Sequence, residues 1–367
     1  MTIDYKLLTP GPLTTTDTVK REMLVDHCTW DDDYKRITRE IRSGLLDLAK
    51  VSDDDYTTVL MQGSGTFGVE ALLTSVLSDD DHLMVCTNGA YGLRIAEIAQ
   101  RHKLNVTVYE EDFAKPLSPE VVDIMLGTDP SITVLAVVHC ETTTGLLNDI
   151  ETLGTIAKKH DVRFIVDAMS SFGGIEIDMI ACNIDYLVSS ANKCIQGVPG
   201  FSFAIMRCDL MEASKGLART LSLDLYDQWQ AMEADGKWRY TSPTHVVLAF
   251  AQAMRELVAE GGIAAREARY TNSQRLLVKR LKQMGFSPYI AEGLHSPIIT
   301  TFLYPEVEGQ TFDFQSMYDY LKKGGYVIYP GKLTEVDTFR VGNIGEIYQE
   351  DIEKLCDLFE EFLKGKS

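Results

Sequence analysis

Short apolar runs bounded by turn residues recur along the first part of the chain, at 58–61, 81–86, 106–109, 132–139, 164–167, 186–189 and 201–206. Each is too short and too evenly apolar for an amphipathic helix, which predicts buried strands. Between most of them, residues 68–77, 92–102, 118–126 and 150–160 place their apolar positions at helical spacing. The alternation predicts an α/β fold whose central sheet is mostly parallel and covered by helices on both faces.

Beyond Pro243 the texture changes. A long helical pattern at 246–260 is followed by another, rich in Arg, Lys and Leu, at 263–284; strand-like runs return at 298–303, 326–329 and 338–341, and an acidic helical pattern fills 349–363. This predicts a large α/β domain over 17–261 and a smaller α+β domain over 262–367, joined through the first long helix.

Length permits this: 367 residues are enough for two apolar cores. Charge narrows the partners. With 54 acidic against 35 basic side chains, the formal charge of -19 repels a nucleic-acid backbone or an anionic membrane surface, so neither is expected as a partner. A small anionic substrate would then need a few positioned arginines to make its site locally positive. The seven cysteines (Cys28, Cys86, Cys140, Cys182, Cys194, Cys208 and Cys356) are scattered without a C-x-x-C pair, which argues against a disulfide framework or a structural metal site. The first residues lack the basic-then-apolar order of a signal peptide and no apolar run is long enough to span a bilayer, so a cytoplasmic location is the expectation.

Five places along the chain carry candidate chemistry, all at predicted strand ends, where open α/β sheets gather their ligands. Asp167 ends the run Arg163-Phe-Ile-Val-Asp; its ordinary reading is a helix-capping acid. Lys193 follows the next strand within Val188-Ser-Ser-Ala-Asn-Lys-Cys-Ile-Gln-Gly-Val-Pro-Gly. A lone lysine is nearly always a solvated charge, but a turn between two buried strands, with desolvation and a nearby cation, would lower its pKa enough for imine chemistry near neutrality. Gln62-Gly-Ser-Gly-Thr-Phe-Gly joins a strand to a helix; its small residues and the helix N-terminus suit a phosphate, although it lacks the lysine ending of a nucleotide-triphosphate loop. Tyr91 could stack on a heteroaromatic ring or simply fill the core, and Thr142 could donate to a ring hydroxyl.

With these residues in place the sequence resembles the class V aminotransferases of fold type I. The resemblance runs through Leu7-Leu-Thr-Pro-Gly-Pro, Gly63-Ser-Gly-Thr, Asn88-Gly-Ala-Tyr-Gly-Leu-Arg, Glu141-Thr-Thr-Thr-Gly, Val166-Asp-Ala-Met-Ser-Ser, Asn192-Lys-Cys-Ile-Gln-Gly-Val-Pro-Gly, Thr241-Ser-Pro and Phe339-Arg-Val-Gly. It implies that pyridoxal 5'-phosphate is held as a Schiff base on Lys193, with Asp167 on the pyridinium nitrogen, Tyr91 and Met169 against the two faces of the ring and Thr142 at the ring hydroxyl. Ser64, Gly65, Thr66 and Asn192 would hold the phosphate with Thr241 of a neighbouring subunit, making the protein a homodimer with shared sites, and the N-terminal segment 1–16 would lie at the active site. Arg340 matches the family arginine that grips a substrate carboxylate, with Arg94 and Arg239 as candidate helpers. Relatives that act on glyoxylate usually carry Trp in place of Tyr91 and His in place of Thr66. The segment around Lys193 is most similar to members that move an amino group from an aminophosphonate to a 2-oxo acid; an alanine- or serine-linked glyoxylate aminotransferase is the alternative. A desulfurase would need a mobile cysteine, and Cys194 directly follows Lys193. A non-catalytic nucleotide-binding module could use the same glycine loop and strand-edge acid.

Overall fold

A computed structural model describes residues 5–305, 312–331, 333 and 336–365. Residues 1–4 of the expected N-terminal segment, together with 306–311, 332, 334–335 and 366–367 of the expected smaller domain, lie outside the described residues.

Seven strands form the central sheet, in the order Tyr56–Gln62, Phe201–Arg207, Tyr186–Ser190, Arg163–Asp167, Val134–Val138, His82–Thr87 and Asn105–Glu110. Six run parallel, and Phe201–Arg207 runs antiparallel to both of its neighbours. Val134–Val138 is buried at every position, which is why its sequence is continuously apolar rather than alternating. Helices cover the faces and are bounded by ordinary chemistry: Ser118 caps Pro119–Thr128 through the Val121 N–H, and Asp149 caps Ile150–Lys159 through the Thr152 N–H. The helix Asp32–Leu48, which hydrophobic spacing had not singled out, buries Tyr34, Thr38, Ile41 and Leu45 one turn apart.

Two helices begin earlier than their apolar spacing predicts. The first is Gly65–Val76 rather than 68–77, and the second is Ala90–Arg101 rather than 92–102. Both starts therefore fall inside the motifs at the strand ends. The predicted strand 132–139 is shorter than expected: Val134–Val138 lies in the sheet, and beyond it the chain leaves the sheet and Cys140–Glu141 pairs with Leu146–Leu147 in a small hairpin.

A second apolar cluster gathers Leu277, Phe286, Phe302, Phe339, Leu355 and Phe359 beneath the helices Gly262–Gln283 and Gln349–Lys364. Its sheet pairs Ile299–Leu303 and Tyr329–Pro330 antiparallel with Thr338–Gly342. The run predicted at 326–329 divides, because Tyr326–Val327 pairs instead with Lys6–Leu7. Leu8 is buried in the same cluster, so the chain beyond it turns back toward the central sheet from an anchored position. No helix among the described residues is long and apolar enough to cross a membrane.

Candidate active site

A cavity of about 490 Å³ opens where Gln62, Thr87, Asp167 and Ser190 end their strands. Ser64, Gly65, Thr66, Tyr91, Asp167, Met169, Asn192 and Lys193 all line it, and Arg94 adds a cation. The helix Gly65–Val76 starts at this wall, and Ser64, in the capping position, makes no capping hydrogen bond. Its first-turn N–H groups are thus left for an anion. A side chain at Gly65 would put its Cβ 2.5 Å from the Met169 sulfur, so this glycine gives Met169 its place. The Thr66 hydroxyl accepts a hydrogen bond from Arg94 Nη1 at 3.2 Å.

Asp167 is buried at the sheet edge, its Oδ1 accepting from the Met169 N–H at 2.9 Å. Burial raises its carboxyl to about 6, with Glu141 pushing the same way and Lys193 and Arg94 opposing. Lys193 Nζ donates to the Pro10 carbonyl at 2.5 Å, and Gly11, at φ +121°, approaches so closely that a Cβ would stand 3.0 Å from Nζ. Burial holds the Lys193 ammonium below the usual lysine range and Arg340 adds to this, against the pull of Cys194, Asp167 and Cys140.

Thr142 and Arg340 lie beside the cavity without lining it. Arg340, 3% exposed in the strand Thr338–Gly342, donates from Nε to the Pro330 carbonyl and from Nη1 to the Thr142 carbonyl, both at 3.0 Å. Its guanidinium stacks 5.0 Å from the Tyr329 ring and has Tyr91 as a further hydrogen-bond partner. Arg94 lies 5.0 Å from the other tyrosine ring, that of Tyr91. The Thr142 hydroxyl is buried without a hydrogen-bond partner among the described residues, and so is that of Ser190 on the cavity wall. Thr241 is exposed and outside the cavity. Arg239 is outside it too, paired with Asp227 at 2.7 Å and bonded to the Leu221 carbonyl.

The motif reading passed over Glu141, which is fully buried and binds the turn that carries Tyr91. The signal available in the sequence was a carboxylate two positions after the apolar run 132–139. The buried Cys194 thiol donates to the Ser170 carbonyl and is pushed up to about 12 by burial, the opposite of a mobile nucleophile.

Residues 27–328 match the family model described as aminotransferase class-V. The chain is 56% identical to the 2-aminoethylphosphonate–pyruvate transaminase of Lysinibacillus sphaericus over 364 residues, 99% of each protein. It is 54% identical to the protein of the same name from Bacillus cytotoxicus over 97% of each. Among solved structures it resembles a pyridoxamine-pyruvate aminotransferase from Mesorhizobium loti, with a TM-score of 0.89 at 22% identity over 99% of this chain and 92% of that one. An alanine–glyoxylate aminotransferase from Nostoc also gives 0.89, at 25% identity over 98% and 95%.

Proposed function

This chain belongs to the class V aminotransferase family, and from that premise we propose that it transfers the amino group of 2-aminoethylphosphonate to pyruvate, giving phosphonoacetaldehyde and alanine. The observation that carries the mechanism is the convergence of Lys193, Asp167 and an uncapped helix N-terminus on one cavity. Near-full-length identity to two transaminases of that name supports the substrate pair.

The residues fit pyridoxal 5'-phosphate. The Gly65–Val76 N-terminus with Ser64 and Thr66 suits the phosphate, the unpartnered Ser190 and Thr142 hydroxyls await polar atoms, and a buried carboxyl faces the same space. When bound, the cofactor supplies an electrophilic carbon for an amine and an electron sink for the carbon that loses its proton. Lys193 is then the covalent anchor, and Asp167 the acceptor that keeps the ring nitrogen protonated. Tyr91 and Met169 hold the two ring faces, and Asn192 assists at the phosphate. With the group bound, Lys193 Nζ would be the base that takes the proton from the substrate's nitrogen-bearing carbon and delivers it to the carbon on the other side of that nitrogen. The dryness of the site favours the neutral amine that this step needs.

Both substrates carry an anionic head near the reacting carbon, and the overall charge of -19 opposes them. Arg340 answers that locally. Its Nε and one Nη1 hydrogen are held by backbone carbonyls and Tyr91 is a further partner, which fixes the plane of the guanidinium behind the cavity. Arg94, on the cavity wall, is the second cation; Arg239, committed to Asp227, is not assigned this part. Thr241, exposed and outside the lining of its own cavity, is read as serving the site of a second copy in a homodimer.

Lys193→Ala tests the mechanism: borohydride reduction should label the parent at Lys193 and leave the variant unlabelled, with turnover lost and the fold kept. An active Lys193→Ala protein would refute it. A donor panel with pyruvate tests the substrate, since alanine formed equally well from serine or glycine would favour the glyoxylate-linked reading instead.

A further inference from the structure

Two helices start at this edge of the sheet, and their N-termini are treated differently. Gly65–Val76 has no side-chain cap. Ala90–Arg101 has none of its own either, because Gly89 occupies the capping position. Its first N–H groups are instead met from another loop: those of Tyr91 and Gly92 donate to Glu141 Oε2 at 3.1 and 3.4 Å. The Ala90 N–H donates to the Thr143 hydroxyl at 3.1 Å, and that hydroxyl donates onward to Glu141 Oε1 at 2.6 Å. The Thr143 N–H completes the set at 3.2 Å.

We infer that Glu141 is a positioning residue for the cofactor: an internal anion that seals the second helix N-terminus and locks the Tyr91 turn to the Thr142 loop at a fixed separation. This rests on the proposed function above. Two consequences follow from the geometry. The sealed helix cannot take the cofactor phosphate, so Gly65–Val76 offers the open anion seat of the two and the ring can enter in only one direction. Tyr91, whose N–H donates to Glu141, and Thr142, between Glu141 and its contact Thr143, are the residues assigned to the ring face and ring hydroxyl, so one carboxylate sets both.

The space is built for this carboxylate. Gly89 lies so close to the Glu141 side chain that any Cβ there would overlap it. All four hydrogen bonds are donated to Glu141, which is the pattern of an ionised group, although burial works to raise its pKa. A glutamine of the same shape would turn an N–H₂ toward donors and leave at least one of them unsatisfied. The same charge also reaches Asp167, which Glu141 pushes toward the protonated form while Lys193 and Arg94 oppose it.

The test uses apoprotein titrated with pyridoxamine 5'-phosphate, which binds without the covalent link, in parent, Glu141→Gln, Glu141→Asp and Thr143→Val. Losing charged hydrogen bonds at this junction should weaken binding about tenfold or more in Glu141→Gln. Thr143→Val, which keeps the carboxylate, should lose less, and Glu141→Asp should recover part of the affinity. Removing the charge should also move the acid limb of binding, set by Asp167, to lower pH in Glu141→Gln. Unchanged affinity and an unmoved acid limb in a folded Glu141→Gln, with only its melting temperature lowered, would reduce Glu141 to a structural cap and overturn the inference. Should Glu141→Gln not fold, equal binding by Thr143→Val, Glu141→Asp and parent would do the same. Failure of the parent to give a borohydride adduct at Lys193 would instead sink the proposed function.

Discussion

Asp167 and His139 occupy the same buried end of the sheet and titrate in opposite senses. His139, hydrogen bonded to the Ser171 hydroxyl at 2.9 Å, is lowered to about 4 by burial, while Asp167 is raised to about 6. For Asp167 in the apoprotein, the folded state holds its proton over a range where the unfolded chain has released it. Stability is therefore lost as pH rises from 3.8, the ordinary value, through about 6, and the loss is about 3 kcal/mol in magnitude. His139 acts the other way, since its depressed value loses stability as pH falls from 6.5 toward about 4. Asp167→Asn keeps the contact with the Met169 N–H and removes one ionisation. Apo Asp167→Asn should melt higher than apo parent at pH 7.5, with the gap closing at pH 4 where both carry a neutral side chain; calorimetry across that range reads it. The same variant should bind the cofactor worse at pH 7.5, because the ring nitrogen has lost its anionic acceptor. An equal melting temperature at both pH values would mean that Asp167 is not strained by burial. Asp167 and Lys193 were legible in the sequence because Asp167 ends one apolar strand and Lys193 follows the next by three residues, where position alone implies a ligand-binding edge. Glu141 was not, because its partners are backbone N–H groups fifty positions away, and a backbone donor leaves no mark in a sequence.

At the level of elements, hydrophobic spacing located the strands and most helices but misplaced the two helix starts that build the site. The reason is physical: the first-turn residues Gly65, Thr66 and Tyr91 line the cavity and Phe67 is exposed, so these turns carry no apolar periodicity. The antiparallel pairing of Phe201–Arg207 with Tyr56–Gln62 was equally hidden, since a strand buried on both faces reads the same in either direction. Gly65 shows what the early start demands. It is helical, so Ala would improve helix propensity by about 1 kcal/mol, yet its Cβ would stand 2.5 Å from the Met169 sulfur. Gly65→Ala should therefore fold with stability within about 1 kcal/mol of the parent, while the displaced Met169 invades the cavity and cofactor affinity falls about tenfold. Adding Met169→Ala should restore part of that affinity by removing the overlap. If the double variant binds no better than Gly65→Ala alone, the contact with Met169 is not the cause.

The whole molecule bears a charge of -19, yet its cavity wall carries Lys193 and Arg94, with Arg340 behind. Its exposed apolar side chains include Phe67, 52% exposed in the helix that opens the site, Leu221 at 74% and Tyr240 at 49% beside Thr241. If a second copy covers these side chains, Thr241 would serve the neighbour's cavity, as proposed above. Subunit mixing separates the two possibilities. Thr241→Ala should weaken cofactor affinity by about tenfold, the worth of one charge-assisted hydrogen bond, and Lys193→Ala should be inactive. When the two are unfolded together and refolded, a mixed dimer pairs the intact Lys193 of one chain with the intact Thr241 of the other. Random pairing makes about a quarter of all sites native if Thr241 acts across the interface. At a cofactor concentration between the two affinities, turnover should then exceed that of the separate variants added together. If Thr241 serves its own chain, or the protein sediments as a monomer, no such recovery appears, because every site with Lys193 still lacks its threonine.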